Sequence, residues 1–271
     1  MSDSANSSAA SRSGIFPFFL ILIALVVITV NLLILNRSLN QNRQQTIERQ
    51  FWTVCQPGFT AGQRSDAFLQ LVRYGNREWY SAKLHDLDLN GISLPGVILK
   101  HAALDRSNFK KATLTHADLS KTLLRETDLS QANLDHANLA AADLYRVNAT
   151  HASLKQANLQ SALCQEANFT AAELQVADLS EADLLMADLT GANLAGANLS
   201  SANLEACTLK NADLTLTRLS GAKLKDADFT DSNWWRARGL SSVDLAQLTR
   251  NFPPSTNATP ELQADYAKWL E

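Results

Sequence analysis

The sequence predicts a repeat solenoid, with a membrane-spanning helix ahead of it and short helical caps at its ends. Three observations carry this expectation. From Leu84 to Trp234 an apolar residue, Leu at 25 of 31 places, returns at every fifth position without a slip of register, an Ala stands two places before it at 21 of them, and 21 consecutive residues near the N-terminus carry no charge. A period of five suits neither regular element. A helix turns about 100° per residue, so five residues rotate by roughly 140° and scatter the leucines around its axis. A strand alternates with period two and sends Leu189 and Leu194 to opposite faces. The Ala-, Leu- and Asp-rich composition leans helical, but the phase of the leucines contradicts a helix, and phase is the stronger signal.

Composition sets bounds on the rest. The 271 residues are 46% apolar and 19% charged with a formal charge of −3, which leaves no general basic excess for nucleic acid. Ten Gly and six Pro argue against disorder, and three cysteines, an odd number, argue against a disulfide framework. Packing has to hold the chain together.

In chain order, residues 1–13 form a polar tail and 14–35 a transmembrane helix, whose uncharged part runs from Ile15 to Leu35. Those 21 residues are about 32 Å long as a helix, enough to cross a bilayer. The stretch exceeds a signal-peptide core, and "NRSLNQ" after it offers no small-x-small cleavage site. Arg37, Arg43 and Arg49 outnumber Arg12, which favours a single pass with the following domain in the cytoplasm. Residues 36–60 are a Gln- and Arg-rich stalk that extends this helix until Pro57 and Gly58 break it.

Residues 61–79 are expected to be an N-terminal capping helix, with Phe68, Leu71 and Val72 on one face and Gly75 at the C-cap. At the other end, 237–271 reads as a helical cap of two helices. In the second, Thr259 is the N-cap, Pro260 stands at N1, and Leu262, Tyr266, Trp269 and Leu270 share a face.

Between the caps, 80–236, there are 31 central positions. Of these 25 are Leu and three are Phe (Phe109, Phe169, Phe229), with Ala149, Cys164 and Trp234 as the exceptions. Two residues earlier, 21 of the 31 positions are Ala, and at 19 an Asp or Asn immediately precedes the central residue. "ANLSSANLEA", "ADLSEADLLM" and "ADFTDSNWWR" resemble the pentapeptide repeat family, whose pattern is A(D/N)LXX. The resemblance implies an all-β solenoid of one particular kind, a right-handed quadrilateral β-helix in which each pentapeptide makes one side and four make a coil. Composition does not choose four sides over three, because the three Phe lie 60 residues apart, a multiple of both 15 and 20.

Such a coil gives the period of five its purpose. When every segment ends in a turn, the central Leu and the Ala two before it both point inward, and the other positions face water. Ordering five backbone residues costs about 5 to 10 kcal/mol, and one buried Leu returns roughly 1.5 to 3. No single repeat stands alone. Coils stacked about 4.8 Å apart add a ladder of backbone hydrogen bonds, and nearly eight coils make a rod of roughly 37 Å. Asp and Asn suit the corners because their side chains bond nearby backbone groups. Leu87, Ile92 and Val97 thicken the first coil beneath the N-terminal cap, and Trp234 and Trp235 do the same at the other end.

Chemistry-bearing patterns are sparse. His101, His116, His136 and His151 share one outward repeat position, and His116 and His136 are expected to stack one coil apart. Neither carboxylates nor cysteines share that column, so a solvated pair is favoured over a metal site. Cys164 and Cys207 fall at inward positions, about two coils apart, as small apolar residues. No nucleophile constellation or phosphate loop stands out, and a filled rod offers no cleft. A non-enzyme without cofactor or metal is expected.

Two functions remain open. One is a membrane-anchored scaffold for an unidentified protein partner. The alternative, implied by the resemblance, is a DNA mimic that binds a topoisomerase such as gyrase; against it, nine Lys or Arg between Lys83 and Lys155 nearly balance eight Asp or Glu. The candidate docking residues follow from charge. From Gln156 to Leu209 there are seven acidic residues and no Lys, Arg or His. Within and beside this belt, the outward pairs Gln175 and Val176, Ala195 and Gly196, and Thr215 and Leu216 stack on one side as an uncharged strip.

Overall fold

The structure, a computed structural model, describes residues 15–271 apart from 57, 74 and 76, with the side chains of 15–27, 51, 52 and 55 excepted. The polar tail therefore lies outside the described residues. Two units are distinct, 1–52 and 53–271. The first contains most of helix α1, Ile15–Cys55, which continues without a break through the expected membrane segment and the stalk. It ends ahead of Gly58; Pro57 lies outside the described residues. Among the described residues no helix is long and apolar enough to cross a membrane. Much of the expected span, 14–27, falls outside them where side chains are concerned.

In the second unit, α2 (Ala61–Arg73) precedes the repeat, and α3 (Ser242–Asn251) and α4 (Pro260–Leu270) follow it. The repeat contains no long strands, because each side of the coil is only five residues and leaves a single bridging residue between turns. Every one of these bridges is parallel and joins residue i to residue i+20, from Glu78↔Ile98 to Arg218↔Arg238. Twenty residues per coil and five per side make the coil four-sided.

The unit Ala192–Gly196 shows how a pentapeptide satisfies its backbone. Ala192 N donates to Leu189 O across the preceding turn (3.0 Å), Asn193 N to Ala172 O in the coil before (2.9 Å), and Leu194 N and Gly196 N to Asp213 O and Thr215 O in the coil after (both 2.8 Å). That leaves the amide of Ala195, which donates to its neighbour's side chain, Asn193 Oδ1, at 3.1 Å. The Asp or Asn before each Leu is thus the acceptor for the one amide the coil cannot pair with backbone. The same bond recurs from Asp88 to Asp228.

The inward pairs form the expected core. Leu84 to Leu219 along the central column are sealed from solvent, as are nearly all the Ala residues two places earlier. Where a hydroxyl replaces Ala it is also buried, and at four of the five such positions it donates to a central carbonyl 23 residues earlier: Ser107 to Leu84, Thr122 to Leu99, Thr127 to Leu104 and Thr217 to Leu194, whereas Ser232 in the last coil donates to Phe229 O. The buried polar atoms therefore cost little.

Both ends are covered. The ladder starts at Glu78, and Trp79 takes the central place five residues before Leu84, with its ring 4.4 Å from that of Phe68 on α2. Ser65 Oγ accepts from Asp88 N at 2.9 Å, and Arg64 donates to Lys83 O and Val54 O. These side chains replace a coil that does not exist. Phe68 and Leu71 are buried, and Val72 and Ile92 only partly, the latter where a covered residue was expected. At the far end Trp234 donates to Phe252 O and Trp235 to Asp265 Oδ2. Thr259 caps α4 with Pro260 at N1, as expected, and Tyr266 is buried on the tryptophans; Leu270 faces solvent instead of sharing that face.

Candidate functional site

With the core and the turns accounted for, function falls to the outward positions, and their order is set by the turn. The residue two places after the central one has positive φ at all 31 positions from Ser81 to Asp231, that is after Trp79 and every central residue up to Phe229 but not after Trp234, with no positive φ at the residue before it, the signs of a type II turn. All five glycines of the repeat (Gly91, Gly96, Gly191, Gly196 and Gly221) stand in this column. Their shared place in the five-residue period is the trace that this left-handed position leaves in the sequence, a signal absent from the expectations above.

The six candidate docking residues are brought together as expected. Val176 N donates to Ala195 O and Gly196 N to Thr215 O, so the three pairs are successive rungs on one side of the rod. Val176 is 61% exposed and Leu216 51%. Gly196 separates them, and a β-carbon there would stand 3.6 Å from Val176 Cγ2, so the strip carries a shallow notch between two apolar knobs. Gln175 is less accessible than its position suggests: its Oε1 is sealed from solvent and meets no donor among the described residues.

Other sides behave differently. On the side centred on Leu104 and Leu124, charge alternates from coil to coil in the left-handed column: Asp86, Arg106, Glu126, Arg146, Glu166. Arg106 pairs with Asp86 at 2.8 Å and Arg146 with Glu166 at 2.8 Å. Hydrogen bonds from Arg146 and Tyr145 hold the Glu166 carboxyl below its ordinary range. Arg125 bonds Asp143, and Lys155 bonds Glu173. These pairs, invisible without a 20-residue register, neutralise much of the basic half.

His116 and His136 stack as expected, with ring centroids 4.7 Å apart and planes within 6°. Among the described residues no group of three or more His, Cys, Asp or Glu is placed to enclose a metal ion. Cys164 and Cys207 are buried and unpaired with each other, and burial pushes both thiols up, away from the reactive thiolate. Nothing positive for catalysis accompanies these residues.

Comparison with known proteins agrees with the geometry. The pentapeptide repeats family matches in eight copies over residues 82–120, 122–160, 157–196 and 197–236, more than half of the chain. No curated protein matches. Similar solved structures include HetL, a pentapeptide repeat protein involved in heterocyst differentiation regulation from the cyanobacterium Nostoc sp. strain PCC 7120. It is 31% identical, with 62% of this chain and 95% of that one covered and a TM-score of 0.23. A protein of the Arabidopsis thaliana thylakoid lumen is 29% identical, with 55% and 81% covered and a TM-score of 0.23. A trypsin-treated form of QnrB1, a plasmid-mediated fluoroquinolone resistance protein, is 17% identical, with 64% and 90% covered and a TM-score of 0.48. On the family match and a ladder that advances 20 residues per coil, this chain belongs to the pentapeptide repeat family.

Proposed function

We propose that the protein is a membrane-anchored, non-enzymatic scaffold, held by Ile15–Leu35 with its repeat domain in the cytoplasm, and that a protein partner docks on the strip from Val176 to Leu216. The observation that carries the anchor is the exposure of Ile28, Val30, Leu32, Leu33, Ile34 and Leu35 on α1. Four consecutive exposed residues, 32–35, point around the axis in steps of about 100°, so the helix is apolar all round, the pattern of a segment whose solvent is lipid. The uncharged sequence continues this surface back to Ile15.

Docking on the strip is supported by its lack of charge, its two exposed apolar side chains and the rigid ladder beneath them. Replacing both knobs, Val176→Glu with Leu216→Glu, is expected to abolish recovery of the partner from detergent-solubilised membranes at an unchanged melting temperature. Undiminished recovery rejects this strip. DNA mimicry is the weaker reading, because imitation of a phosphate backbone needs one uninterrupted sign of charge. Here the pairs of Asp86 with Arg106 and of Arg146 with Glu166 interleave the two signs through the first half of the repeat, which confines the uninterrupted acidic stretch to residues 156–209. Inhibition of gyrase supercoiling by the purified protein would favour mimicry instead.

A further inference from the structure

We propose, resting on the strip from Val176 to Leu216 being a docking surface, that its occupant is a second copy of this chain laid antiparallel against the same side of the rod. The observation is an order of charge along the rod. The turns that carry the strip border a side whose bridging residues run Asp178, Asn198, Arg218, one per coil. The turns on the other edge of that side carry Ser180, Ser200 and Ser220. Acid, neutral and base therefore follow one another between a row of apolar knobs and a row of small hydroxyls. Arg218 is exposed and enters no ion pair among the described residues. Asp178 uses Oδ1 for its own turn, accepting from Ser180 N and from Asn198 Nδ2 at 3.0 Å each, and its Oδ2 accepts nothing among the described residues.

A two-fold axis that lies in the plane of contact at Asn198, perpendicular to the rod, reverses the order of the coils and leaves each column facing itself. It sets Asp178 against the partner's Arg218, and Arg218 against the partner's Asp178. The same rotation brings Val176 to the partner's Leu216 and Gly196 to the partner's Gly196, where no side chain holds the backbones apart. Ser180 meets the partner's Ser220, and Glu181 meets the partner's Gly221. One coil further out, Arg236 and Arg238 meet the partner's Gln156 and Asn158, so no like charges oppose across these coils. A two-fold axis along the rod fails this condition, because it sets Asp178 on the partner's Asp178 and Arg218 on the partner's Arg218. Exposed ion pairs add little affinity and chiefly fix the register. The knobs supply the apolar burial. Three coils make a small contact beside the roughly 800 Å² per partner of a standard interface, so the expected dissociation constant is on the order of 10 to 100 µM.

The test is sedimentation equilibrium of the full-length protein in detergent micelles, for wild type, for Arg218→Asp, for Asp178→Arg and for a mixture of the two variants. Either variant alone opposes like charges and is expected to dimerise at least about tenfold more weakly than wild type, whereas the mixture restores both ion pairs in a heterodimer of wild-type affinity. Cysteines report the direction. In a Cys55→Ser background, Ser180→Cys chains are expected to form a disulfide with Ser220→Cys chains and not with one another. A wild-type chain that stays monomeric at about 0.5 mM, a mixture without rescue, or self-linking of Ser180→Cys overturns the antiparallel pair. Thermal melting identifies loss of folding, and where Asp178→Arg melts early the cysteine pair decides. Should the pair fail while Val176→Glu with Leu216→Glu still abolishes recovery of a different membrane protein, the strip stands as a docking surface without self-pairing; undiminished recovery removes both.

Discussion

Val176 stands at φ 60°, in a conformation that disfavours side chains and β-branched ones most. Its neighbours in the column show what the position prefers, since Gly196 occupies the same place one coil later. Left-handed geometry costs an L-residue about 1 to 2 kcal/mol, and glycine gives back roughly 0.5 to 1 through its freer unfolded state. Val176→Gly is therefore expected to raise the melting temperature by an amount equivalent to up to about 1 kcal/mol. Ala195→Gly, one place earlier in the turn and without positive φ, should lower it by about 0.5 to 1. Thermal melts of the two variants check the opposite signs. A docking role gives a reason for a strained apolar residue to persist on the surface.

Within one side of the coil, the Asp/Asn position carries two jobs. Its oxygen accepts the orphan turn amide, and where Asn lies one coil after Asp the amide group donates back, as in Asn198 to Asp178 at 3.0 Å and Asn203 to Asp183 at 2.9 Å. Nowhere in this column does Asp stand directly over Asp, so no two carboxylates are stacked. Asn198→Ala removes the bond to Asp178 and the two that Asn198 Oδ1 accepts from Ser200 N and Oγ, and should destabilise the protein by about 1 to 2 kcal/mol, measured by chemical denaturation. The core column has its own irregularity. Ala149 lies one coil from Phe169, joined by the Asn148↔Asn168 bridge, and both are buried. If the larger ring fills the room that Ala leaves, Phe169→Leu destabilises by about 1 kcal/mol more than Phe109→Leu, whose neighbours are Leu89 and Leu129. Equal melting shifts would show that the space is closed in another way.

The division between what could be read from residues and what could not follows from the range of the interactions. The inward column, the turn residues, Thr259 and Pro260 are local patterns and were legible. The number of sides was not, because the spacing of the Phe residues fits both 15 and 20; only the i to i+20 ladder decides it. Arg64 reaching Lys83 O, and Arg106 pairing with Asp86, depend on that register and on the cap that ends it. The candidate strip was legible once outward positions were assigned to a side, but the burial of Gln175 Oε1 depends on its neighbours across coils.

For the whole molecule, the repeat domain closes its own ends. Arg64 and Ser65 occupy the backbone groups of the first coil, and Trp234, Trp235, Tyr266 and Trp269 pack over the last. Capped ends leave the sides as the contact surface and disfavour end-to-end aggregation. Placement of those sides near a bilayer rests on α1, and membrane partition after an alkaline carbonate wash tests it most directly. The full-length protein is expected to stay with the membrane pellet, and Ile28→Arg with Leu32→Arg, two charges in the second half of the span costing at most about 2.5 to 3.5 kcal/mol each, the value at mid-span, should shift it toward the supernatant. Release of the wild-type chain by the wash, or equal retention of the double variant, would contradict an anchor at Ile15–Leu35.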